Sequence, residues 1–72
     1  MPDRDVERNV NTEQFVSTLR RVADALEAGE ALRIQVANHR FTVAGDAELS
    51  IEHEVSDGLE ELELQLRWRS SP

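Results

Sequence analysis

Between Leu62 and Arg69 the chain alternates without a break: Leu62-Glu63-Leu64-Gln65-Leu66-Arg67-Trp68-Arg69. Successive side chains of an extended strand point to opposite faces, so this segment has one oily face and one wet face. A slip of pairing by one residue would turn Leu62, Leu64, Leu66 and Trp68 into water, so the register is strongly specified. The pattern predicts a half-buried antiparallel strand over residues 60–69.

The same period appears upstream. Leu32, Ile34 and Val36 share one face of a candidate strand, with Arg33 and Gln35 on the other. Asn38 suits a tight turn because it tolerates positive φ. Phe41 and Val43 then continue the apolar face on a return strand, opposite Arg40 and Thr42. Gly45-Asp46 breaks the run. Ala47, Leu49, Ile51, His53 and Val55 alternate with Glu48, Ser50, Glu52 and Glu54, and Ser56-Asp57-Gly58 is a strong turn signal before the last strand. All three glycines, Gly29, Gly45 and Gly58, fall at breaks between elements, where turns account for them.

One stretch has a different period. Asn11 is a good helix N-cap, and Gln14 three residues later makes an Asn-x-x-Gln variant of the capping box. Val10 and Phe15 are placed to form a hydrophobic staple around that cap. The helix is expected from Thr12 to Ala28, with Gly29 as its left-handed stop. Phe15, Val16, Leu19, Val22, Ala23 and Leu26 fall on one face; Glu13, Ser17, Arg20, Arg21, Asp24 and Glu27 fall on the other. Upstream, Val6 and Val10 flank polar residues in a short strand candidate. Arg8 shares their face, an edge position that lets its stem lie on the core while its head reaches water.

The expected architecture is therefore α+β in the order β-α-β-β-β-β. A short N-terminal strand is followed by one helix packed on a four- to five-stranded, mainly antiparallel sheet. Residues 1–4 and 70–72 read as tails around a single domain over residues 5–69. The chain has 72 residues, and so short a chain buries only roughly 60% of its unfolded surface, which makes a thin core. It has no cysteine, which removes disulfides and thiolate metal sites as staples. Regular packing and self-association remain.

Fifteen acidic residues face eight basic ones, a net charge of −7, and every basic residue is arginine. Such a chain repels phosphate backbones, so direct nucleic-acid binding is not expected. Acidity without lysine leans towards a halophilic host, with a GC-rich genome as the alternative; the charge also keeps a small domain soluble. The N-terminus has no apolar stretch of signal-peptide or membrane-span length, which leads to the expectation of a cytoplasmic protein without membrane contact.

The segment Leu19-x-x-x-Ala23-Asp24-Ala25-Leu26-Glu27-x-Gly29-Glu30, after a polar helix cap and before alternating strands that end at Trp68, resembles the amphi-Trp domain family. These are small acidic proteins of haloarchaea and bacteria. The resemblance covers residues 5–69. Asn11 stands where serine is usual, which leaves the cap intact. The resemblance implies no assigned biochemical activity, so it carries over no catalytic residue.

Among single residues, Trp68 is the only tryptophan. It could anchor a partner, since tryptophan is enriched at interface hot spots. Its parity with Leu62, Leu64 and Leu66 favours a cap over the core, and a homodimer seam would satisfy both readings. His53 falls on the apolar face between Ile51 and Val55, where Glu52 and Glu54 point the other way, so a satisfied or rim histidine is expected rather than a metal ligand. His39 is expected in a turn and exposed. Glu48, Glu52, Glu54, Glu61 and Glu63 read as a solvated acidic face. No phosphate loop, nucleophile elbow or zinc-helix motif is present. No catalytic residue, metal or cofactor is therefore assigned. The expectation is a non-enzymatic protein-interaction or scaffold module working as a homodimer, with Trp68, Leu66, Leu64, Val6 and Arg8 as the candidate interface. The alternative is an acidic regulator or nucleic-acid mimic that occupies a basic protein partner.

Overall fold

The structure, a computed structural model, describes residues 9–70. Helix α1 spans Thr12–Ala28. The Gln14 amide donates to the Asn11 side-chain oxygen at 2.8 Å, and the Asn11 amide donates back to Gln14 Oε1 at 3.3 Å, completing the expected capping box. At the other end Gly29 takes φ 67°, its amide donates to Leu26 O, and the Glu30 amide donates to Ala25 O. This is a Schellman stop, and it turns the chain out of the helix towards the strands.

Strands β1 (Leu32–Val36) and β2 (His39–Val43) form one antiparallel hairpin. Leu32 lies opposite Val43, Ile34 opposite Phe41 and Val36 opposite His39, so these pairs share one face. Both turn residues, Ala37 and Asn38, have positive φ, as a two-residue turn matched to strand twist demands. Strands β3 (Glu48–Ser56) and β4 (Leu59–Arg67) form a second, longer hairpin around Asp57 and Gly58, again both at positive φ.

The single sheet of four to five strands is not formed: the described residues make two separate two-stranded sheets. Nine residues of β3 pair with nine of β4 and five of β1 with five of β2, each strand along one edge only, and no ladder joins β2 to β3. Between them the chain makes a tight turn, with the Ala47 amide donating to Ala44 O at 3.3 Å. Gly45 in that turn lies hard against the helix exit. A Cβ there would come within 3.0 Å of Gly29 O and 3.1 Å of the Glu30 carbonyl carbon. This glycine is therefore needed for close backbone approach as well as for a break in the strand pattern.

Of the expected N-terminal strand over residues 6–10, Val6 and Arg8 lie outside the described residues, and Asn9 and Val10 are in no strand. The last strand also stops two residues early, at Arg67, so Trp68 follows it rather than ending it. His39 is not in the turn and exposed. It opens β2, is half-buried, and its ring stacks on Phe41 with centroids 5.9 Å apart.

The core is small. Val43, 8% exposed, is the one buried apolar residue among those described. Helix α1 packs on β1, with Val22, Ala25 and Leu26 half-buried. Arg21, read as outward-facing, instead reaches β1 and donates from Nη2 to Arg33 O at 2.7 Å. The N-terminal half of the helical apolar face, with Phe15, Val16 and Leu19, stays exposed.

Candidate interaction surface

The β3–β4 register determines which side chains share a face. Leu49 lies opposite Leu66, Ile51 opposite Leu64, His53 opposite Leu62 and Val55 opposite Glu60. That face is almost wholly apolar. Glu48 opposite Arg67, Ser50 opposite Gln65, Glu52 opposite Glu63 and Glu54 opposite Glu61 make the other face polar. The sidedness expected from the alternation is present, but the oily side is not covered. Ile51 is 74% exposed and Leu62 70%.

The helix and this hairpin stand as two walls of an open apolar cleft of about 510 Å³. Phe15, Leu19, Val22 and Leu26 line one wall; Leu49, Ile51, Leu62, Leu64 and Leu66 line the other. The walls belong to one chain, yet the side chains do not close the gap between them. Burying them would be favourable by about 25 cal/mol for each Å² removed from water, so an uncovered face of this size marks a contact surface.

Trp68, Leu66 and Leu64 do come together. They line a second cleft with Phe41 and Val43, where the two hairpins meet. The Trp68 ring stacks on Phe41 with centroids 6.3 Å apart and planes 16° from parallel. Trp68 thereby ties the end of the second hairpin to the first, and at 36% exposure most of it is covered within its own chain. The candidate interface residues Val6 and Arg8 lie outside the described residues. The residues missing from the candidate set are Ile51 and Leu62, which are the most exposed. Alternation places both on the oily face and does not mark how far the helix reaches over it.

His53 has a partner on its own face. Its Nε2 lies 2.9 Å from Glu60 Oε1, a hydrogen-bond contact that is an ion pair when the imidazole is protonated. Glu60 is the diagonal cross-strand neighbour of His53, which the Asp57-Gly58 turn makes readable once the register is counted. On the polar face Ser50 Oγ donates to Gln65 Oε1 at 3.1 Å, and Gln65 Nε2 donates to Glu63 Oε2 at 3.0 Å. Among the described residues no three His, Asp or Glu are grouped to hold a metal ion. None of their helices is long and apolar enough to cross a membrane.

No family model matches the chain, and no curated protein or solved structure matches it.

Proposed function

We propose that this chain is a small non-enzymatic protein-interaction or scaffold module that works as a homodimer in the cytoplasm. The observation that carries the reading is surplus surface. The accessible area is 6639 Å², whereas a compact monomer of 8.2 kDa exposes about 4,500 Å². Counting the ten residues outside 9–70 as fully extended accounts for about 1,600 Å², and a compact body of the remaining residues exposes about 4,000 Å². A surplus of about 1,000 Å² per chain remains, and two chains that bury it reach about 2,000 Å², the scale of permanent dimers. The amphi-Trp resemblance over Leu19–Glu30 and Trp68 supports a small acidic domain and supplies no activity. Sedimentation equilibrium at micromolar concentration tests the reading: a mass twice 8.2 kDa supports it, and a clean monomer mass rejects it.

A second reading draws on the polar face of β3–β4, where Glu52, Glu54, Glu61 and Glu63 form a two-by-two acidic array. Such an array would steer and hold a basic protein partner. Titration with a lysine-rich peptide should then show binding that weakens as salt is raised, and no binding at low salt would dispose of it.

A further inference from the structure

We infer that the cleft between α1 and the β3–β4 hairpin is filled by the outer half of the same hairpin from a second copy, exchanged reciprocally about a two-fold axis. This rests on the self-association proposed above and adds the surface through which it happens.

The exposure gradient along the hairpin points to the inserted part. Leu66, at the hairpin base, is half-buried, whereas Ile51 and Leu62 further out are the most exposed large apolar residues among those described. The receiving part is the exposed stretch of the opposite wall, Phe15 and Leu19 of α1. Both surfaces line one cleft, so the apolar face of a second hairpin laid across its mouth meets Phe15 and Leu19 on one side and Ile51 and Leu62 on the other, with its acidic face turned to water. Reciprocal exchange then covers each surface once in both copies and leaves none over, which closes the assembly at two chains.

Charge selects the face of the hairpin over its edges. Two chains of net charge −7 must meet where their acids are not. Pairing of β3 or β4 edges would set the ladder of Glu52, Glu54, Glu61 and Glu63 beside the same ladder of the other copy, and like charges placed side by side across strands are destabilising. Packing through the apolar face leaves both ladders outside in water. The titratable groups on that face are His53 and Glu60, which already pair with each other near the turn. Nor can the chain's own first eight residues do the work: Met1 and Val6 are their only large apolar side chains apart from the Pro2 ring, too few to cover Leu49, Ile51, Leu62 and Leu64.

The test uses the full chain. Ile51→Arg and Leu62→Arg are made singly, because a basic substitution reduces the acidic self-repulsion and cannot dissociate the chains by adding to it. Both sites are largely exposed within one chain, so far-UV circular dichroism should not change. The expected result is a wild-type mass twice 8.2 kDa and a dimer dissociation constant raised roughly thirtyfold or more in each variant, the scale of an interface hot spot. Leu59→Arg, equally exposed but on the polar face, should leave that constant unchanged. The chain has no cysteine, so a second measurement is clean: Leu19→Cys chains mixed with Ile51→Cys chains should give the mixed dimer with a short bismaleimide. A dimeric wild type whose mixed chains fail to cross-link overturns the insertion and leaves self-association standing, whether or not the arginine variants dissociate. A wild-type mass of one chain overturns both.

Discussion

The two hairpins share an alternating pattern and a left-handed two-residue turn, yet they end in opposite surroundings. In β1–β2 every inward residue is at least half-buried, and the series ends in Val43, the most protected side chain described. In β3–β4 the equivalent positions carry residues of similar size over strands nearly twice as long, and most of them face water. Alternation therefore determines which side is oily, and the reach of the covering layer determines whether that side is dry. One helix suffices for the short hairpin and runs out over the long one.

The sharpest way to break this contrast is a carboxylate in each half. Val43→Asp places an unpaired charge in the one buried apolar position among the described residues and should cost about 3 kcal/mol or more, abolishing a cooperative urea transition. Val55→Asp, on the oily face of the long hairpin but exposed, should move the midpoint by less than about 1 kcal/mol. Comparable losses in the two variants would mean that the halves are equally buried. Next in size is Gly45→Ala. The added methyl meets helix-exit backbone, which cannot swing aside as a side chain can, so a loss of about 1–3 kcal/mol is expected by urea denaturation. A neutral result would show that the first hairpin is not clamped to the helix there.

The turns differ as well. Asp57-Gly58 uses residues suited to positive φ, whereas Ala37 holds φ 48° with a Cβ. Ala37→Gly should relieve that strain and raise the thermal midpoint by an amount equivalent to about 1 kcal/mol. An unchanged midpoint would mean that the alanine turn is unstrained. The smallest effect is electrostatic. Glu54→Arg turns the Glu54–Glu61 cross-strand repulsion into an attraction worth about 0.5 kcal/mol. Multimolar KCl should stabilise the wild type more than this variant, because it screens the same repulsion. Equal melting points in low and high salt would remove the repulsion from the account.

Much of this fold could be read in advance because its signals are local. Asn11 with Gln14 marked the helix start and Gly29 its stop; Asp57-Gly58 fixed the register that puts Ile51 opposite Leu64. The separation into two sheets was less accessible. It goes with the turn at Gly45, which fits against Gly29 and Glu30, a contact between elements that no short window contains. For the same reason Trp68 could be given the right parity but not its stacking partner, Phe41. The exposed pair Ile51 and Leu62 was hidden differently: an alternating strand looks the same whether its cover comes from its own chain or from another molecule.

The Phe41–Trp68 stack also bears on the order of events during folding. The two rings lie far apart along the chain, and closing so long a loop directly is entropically slow. Zipping β3–β4 outward from Asp57-Gly58 carries the indole back to the phenyl ring with little further search. The second hairpin would then form early and deliver the latch, so the quenching or blue shift of a single indole would time the moment at which the two halves become one body.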